Sequence, residues 1–90
     1  MEFLVRIEFT STAETRESLL VAEHKRVHEL GAAGTLRRLW MIPGSHAAWS
    51  IWEAPGATEL HAAIASLPFY PFIIVEVHAL AAHPLDPAAR

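Results

Sequence analysis

Residues 3–9 alternate in polarity. Phe3, Val5, Ile7 and Phe9 fall on one side and Leu4, Arg6 and Glu8 on the other, the period of a half-buried strand. Ser11-Thr12-Ala13-Glu14 then matches the Ser-x-x-Glu box that opens a helix, and good helix formers run on to Gly31 and Gly34, which can end it. This predicts a helix over 12–31. Residues 35–42 (TLRRLWMI) predict a second strand, Pro43-Gly44-Ser45 a turn, and residues 46–53 (HAAWSIWE) a third strand that pairs back on the second. Pro55-Gly56 breaks the chain. Thr58 to Ser66 predicts a short helix with Leu60 and Ile64 on one side, stopped by Pro68 and Pro71. Residues 72–80 (FIIVEVHAL) predict a fourth strand, and 81–90 an irregular arm with two prolines.

The order β-α-β-β-α-β is the ferredoxin-like arrangement. It predicts an α+β fold: one antiparallel four-stranded sheet with two helices on one face. Strands 2 to 4 carry apolar groups on both sides, so the other sheet face is expected to be closed by a second subunit. Composition strengthens that expectation. Ninety residues make a single domain, 1–90. A chain of this length buries only about 60–65% of its unfolded surface, yet 52% of its residues are hydrophobic. The excess points to subunit interfaces and hence a homo-oligomer.

The chain has no cysteine, which excludes disulfides, thiolate metal sites and a cysteine nucleophile and fits a reducing, cytoplasmic setting. A net charge of −3 with no basic block argues against nucleic acid as a partner. No apolar run approaches the roughly 20 residues of a membrane span, and the N-terminus opens directly on a strand pattern rather than a signal peptide.

The most informative residue is Glu23. The apolar stripe of the first helix runs through Leu19, Leu20, Val27 and Leu30, and Glu23 lies within it. A carboxylate facing the core loses hydration, so its pKa rises unless a cation or hydrogen-bond donors compensate. A carboxyl raised toward neutrality suits general acid/base work. The alternatives are a structural ion pair with an arginine of the sheet, or a helix rolled so that Glu23 reaches the rim. Arg37 and Arg38 are adjacent in a strand and should face opposite sides. One could clamp a substrate carboxylate through two parallel hydrogen bonds, or pair with Glu23. Trp40, Trp49 and Trp52 fit core or interface, with indole N–H groups that need partners if buried. Ser50 lies between Trp49 and Trp52 and lacks the sharp turn of a hydrolase nucleophile. His24 and His28 share a helix face but lie off the apolar stripe without a third ligand, and no metal site is expected. His46 and His78 could line a cavity mouth.

The combination Arg37-x-Leu39-Trp40, Gly44, Pro55, Glu59-Leu60-His61, Leu67-Pro68-Phe69-Tyr70-Pro71, Glu76-Val77 and His83-Pro84 resembles the muconolactone Δ-isomerase family, within the dimeric α+β barrel superfamily. The resemblance runs without gaps from about residue 20 to 84, and Glu23 falls where the family has a helix glutamate. It implies a cofactor-free isomerase of a small unsaturated lactone bearing a carboxylate, such as muconolactone converted to 3-oxoadipate enol-lactone in bacterial breakdown of catechol. It also implies a homo-oligomer, a dimer at least and typically a decamer. The reaction asks for a base that removes a ring proton, a donor or cation that steadies the dienolate, and an acid that returns the proton two carbons away. On the resemblance Glu23 is the catalytic acid/base, and Arg37, Arg38, Trp40, His46, Ser50 and Trp52 are candidates for substrate binding. The sequence departs from the family pattern at Met41, where a second arginine would stand, and at His46, Ala48 and Trp49. These changes imply a more apolar pocket and leave two further readings open: a diverged isomerase, cyclase or cofactor-free oxygenase of an aromatic or polyketide-like metabolite, and a non-catalytic ligand-binding subunit.

Overall fold

The computed structural model describes residues 1–89, so the last residue of the expected arm, Arg90, lies outside the described residues. Strand β1 (Glu2–Phe9) leads into helix α1 (Ala13–Ala32). Strands β2 (Leu36–Met41) and β3 (Ala47–Glu53), helix α2 (Ala57–Ala65) and strand β4 (Ile73–Leu80) follow, with single 3₁₀ turns at Tyr70–Phe72 and Pro87–Ala89. The sheet is antiparallel in the order β2-β3-β1-β4. The expected ferredoxin-like α+β architecture is therefore present, with β1 and β3 central and β2 and β4 at the edges.

The alternation in β1 sets the core. Phe3, Val5 and Ile7 are buried opposite Trp52, Ser50 and Ala48 of β3. They pack with Leu30 of α1 and Leu60 and Ile64 of α2, each contributing on the order of 1.5–3 kcal/mol. The opposite sheet face carries Leu4, Arg6, Trp49, Ile51, Ile74, Glu76 and His78.

Two helix boundaries differ in detail from the sequence reading. The cap of α1 is Thr12, not Ser11: its hydroxyl accepts the Thr15 N–H at 3.2 Å, so the capping pair is shifted by one and Glu14 does not complete a box. At the other end Gly34 (φ +78°) takes the left-handed residue of a Schellman motif, with Thr35 N–H on the Leu30 carbonyl and Gly34 N–H on the Gly31 carbonyl. Gly31 itself remains helical. Within α1 the buried stripe is narrower than expected: Glu23 and Leu30 are buried, whereas Leu20 is 38% exposed.

Trp52 and Ser50 form one unit in the sheet. The Trp52 indole N–H donates to the Ser50 hydroxyl at 2.8 Å, and that hydroxyl donates to the Val5 carbonyl at 2.9 Å. Both side chains are essentially sealed, at 1% and 0% exposure. Ser50 is thus the polar partner that lets a tryptophan N–H be buried between strands. Ser50→Ala orphans this N–H, and is expected to cost about 1–3 kcal/mol, read as a lowered midpoint in thermal unfolding. An unchanged midpoint would contradict the role.

Candidate active site

Glu23 sits in the third turn of α1 and is only 7% exposed. Its Oε1 accepts the backbone N–H of Phe69 at 3.0 Å. That N–H is available because of the local sequence. Helix α2 ends at Ala65 with N–H groups of Ser66 and Leu67 turning back onto it. Pro68 has no N–H to continue the turn, and Phe69 is buried with no backbone acceptor for its own N–H. The Leu67-Pro68-Phe69-Tyr70-Pro71 segment therefore presents a buried donor, and the first helix supplies the acceptor.

Among the described residues no arginine or lysine forms an ion pair with the carboxyl. The expected pairing with a sheet arginine does not form; among the described residues the arginine ion pairs are Arg6–Glu8 and Arg26–Glu29. Burial pushes the Glu23 carboxyl above its ordinary value of 4.5, against the smaller lowering effects of the Phe69 N–H and of nearby His24. Its one hydrogen bond leaves Oε2 without a partner among the described residues. The carboxyl lines a cavity of about 40 Å³ walled by Ile7, Phe9, Leu36, Leu39, Trp52 and Phe69. An anchored carboxyl with a raised pKa, a free oxygen and apolar walls can take up and release a proton.

A cavity of that size does not hold a ring. It adjoins two larger grooves. One, of about 400 Å³, shares Phe9, Leu39 and Phe69 with it and is lined further by Arg16, Trp40, Met41 and His46. The other, of about 450 Å³ and wide open, shares Val27, Leu36 and Leu39 and carries Arg37, Arg38 and His28.

The sequence candidates thus divide. Trp52 walls the Glu23 cavity, and Trp40 and His46 line the first groove. Ser50 is committed to Trp52 and Val5 inside the sheet. Arg37 and Arg38 were expected on opposite sides of the strand. A register irregularity between Leu36 and Arg38 breaks the alternation, and both reach the same groove. Arg38 lies opposite Ile51, with its guanidinium 4.6 Å from the Trp40 ring centre. His78 lies beside Glu76 at 3.4 Å, on the far face. His24 and His28 are exposed, and no group of three or more potential metal ligands occurs among the described residues. Sequence reasoning missed Arg16 and Phe69. Arg16 stands seven residues before Glu23, a spacing that places both on one helix side, and that spacing was the available signal. Phe69 acts through its backbone, which carries no residue signature.

Comparison with known proteins places this chain in a family. The family model for muconolactone delta-isomerase matches residues 1–86. The muconolactone Δ-isomerase of Pseudomonas aeruginosa is 27% identical over 84 residues, covering 93% of this chain and 88% of that protein. Muconolactone Δ-isomerase 2 of Acinetobacter lwoffii is 31% identical over 83 residues, covering 92% and 86%. A crystal structure of muconolactone isomerase superposes with a TM-score of 0.87 at 28% identity, over 97% of this chain and 95% of that one. A dehydrochlorinase of 5-chloro-2-hydroxyhydroquinone from Burkholderia phenoliruptrix, 18% identical with a TM-score of 0.65, shares the fold. The glutamate buried against Phe69 therefore stands in a recognised enzyme scaffold: the chain belongs to the muconolactone Δ-isomerase family.

Proposed function

We propose that this chain is a cofactor-free isomerase that moves a ring double bond in a small unsaturated lactone of the muconolactone type, with Glu23 as the group that carries the proton. The observation that carries the reading is the Glu23 carboxyl, buried in apolar walls and anchored by one N–H within the family's fold. As carboxylate it takes a proton from a ring carbon. The C–H electron pair spreads through the ring C=C into the lactone carbonyl as a dienolate. The Glu23 O–H then returns the proton to the carbon two positions away, and the double bond has moved by one. One carboxyl serves as base and then acid, so no other proton carrier is required. A pKa raised toward the working pH balances the two roles. The ring enters through a groove, and Phe9, Leu39 and Phe69 are the walls it must pass or displace. Met41 and Ala48 in the first groove favour a substrate with a bulkier apolar body than muconolactone itself.

Leu4, Trp49, Ile51 and Ile74 lie on the sheet face that no helix covers, and pairing of two such faces into a dimer, or a larger ring, would bury them. The relatives are bacterial proteins, and the cytoplasm is the setting that fits a cysteine-free catabolic isomerase. Light scattering at micromolar concentration is expected to give a multiple of 10.0 kDa; a stable monomer would contradict the assembly.

Two further outcomes follow from Glu23. Isomerisation of muconolactone, followed by ultraviolet absorbance, is expected to fall about 10²–10⁴-fold in Glu23→Gln; equal rates in wild type and variant would remove Glu23 from the mechanism. Stability should move the other way. With the folded pKa above the unfolded value, the folded state binds the proton more tightly, so wild-type stability declines as pH rises from about 4.5 through the folded pKa. Glu23→Gln lacks this titration. At neutral pH it is expected to melt higher than wild type, by roughly 4–8 °C for each kcal/mol relieved, and the difference should vanish below pH 4.5. A gap independent of pH would contradict the cost assigned to the buried carboxylate.

A further inference from the structure

We infer that Arg16 is the substrate-binding residue for an anionic group, holding the carboxylate of a lactone acid in the groove that opens onto Glu23. The inference rests on the isomerase reading for the identity of the ligand and on geometry for the site.

The groove of about 400 Å³ falls within the usual range of small-molecule sites. Its walls are largely apolar: Phe9, Leu39, Trp40, Met41, Ala48 and Phe69. Arg16 is the permanent cation among its lining residues, accompanied by His46. The Arg16 side chain makes no ion pair and no hydrogen bond among the described residues, so its guanidinium fork is available. Against apolar walls a carboxylate held by such a fork gains more than it would in open water.

Spacing connects this cation to the proton carrier. Seven residues of helix bring Arg16 and Glu23 to the same side, with about 10 Å of axial rise between their backbones. The Arg16 groove and the Glu23 cavity share Phe9, Leu39 and Phe69, so a ligand clamped by Arg16 at its carboxylate would lay its ring toward these walls, behind which Glu23 sits.

The two arginines prominent in the sequence are placed less well for this task. Arg38 lies opposite Ile51 in the strand register and over the Trp40 ring. Arg37 and Arg38 both line the wider groove on the other side of Leu39, which does not include Phe69. Arg16 shares its groove with Phe69, the residue whose N–H fixes Glu23. Carboxylate recognition and carboxyl positioning therefore meet at one wall.

The test pairs an acid with its ester. Steady-state kinetics would be measured on muconolactone and on its methyl ester for wild type, Arg16→Gln and Arg16→Lys, with calorimetric binding of the saturated, unreactive lactone acid as a readout that needs no turnover. Loss of a charge-assisted pair is worth roughly 10–100-fold in affinity. The expected result is that Arg16→Gln raises KM and Kd for the acids by that factor, leaves kcat within about threefold, and leaves the ester unchanged; Arg16→Lys recovers part of the loss. Unchanged acid binding in Arg16→Gln, or equal weakening of acid and ester, overturns the inference. The two readings separate cleanly. Turnover that needs Glu23 but ignores Arg16 sinks this inference alone. Arg16-dependent binding of the acid without any turnover supports the site and sinks the isomerase reading.

Discussion

The structure turns on one hydrogen bond, from the Phe69 N–H to the Glu23 carboxyl. It joins residues 46 apart in sequence and resolves two liabilities at once. A buried backbone N–H after Pro68 needs an acceptor, and a carboxyl on the inner side of α1 needs a donor. The N–H is satisfied in full and the carboxyl only in part. One N–H does not repay the dehydration of a carboxylate, so the group stays biased toward its protonated form. A stronger partner, such as an arginine, would make a better ion pair and a worse proton carrier. The site keeps the carboxyl incompletely compensated, which is a cost to folding and the property that the proposed proton transfer would use.

The remaining architecture serves that arrangement. The central strands β1 and β3 supply rigid walls, and the sealed Trp52–Ser50–Val5 chain of hydrogen bonds fixes one of them. The Phe9 and Phe69 rings meet edge to face at 5.9 Å, on the boundary between the Glu23 cavity and the groove that carries Arg16. The buried carboxyl, its anchoring amide and the Arg16 groove thus share side chains from β1, α1, β2 and the Leu67–Pro71 turn. Both edge strands and the outer sheet face expose apolar groups, Trp40, Met41, Ile74 and Val77 among them.

The fold was largely legible in the sequence, because period-2 alternation in residues 3–9 and the breakers at Gly34, Pro43-Gly44 and Pro55-Gly56 report local geometry directly. Glu23 was legible for a related reason: a charged residue on an apolar helix side breaks a strong pattern. What was not legible depends on long-range placement. The register irregularity at Arg37 cancels the strand alternation that should have separated it from Arg38. Leu20 reads as stripe and stands partly outside, since within α1 only Glu23 and Leu30 are fully covered. The partner of Glu23 turned out to be a main-chain N–H, and no side-chain pattern announces one. Arg16 looks like any solvated residue of a first helical turn until the groove formed by β2, β3 and Phe69 is seen beside it.

The central claim is that Glu23 is a buried carboxyl whose dehydration outweighs its single hydrogen bond. The most direct measurement is its own titration, followed by carbon-13 NMR of the glutamate side-chain carboxyls, with the resonance assigned by its absence in Glu23→Gln. The expected midpoint lies above 4.5. A midpoint at or below 4.5 would mean that the carboxyl is fully compensated in the folded chain, and would contradict both the energetic account and the proton-carrying role built on it.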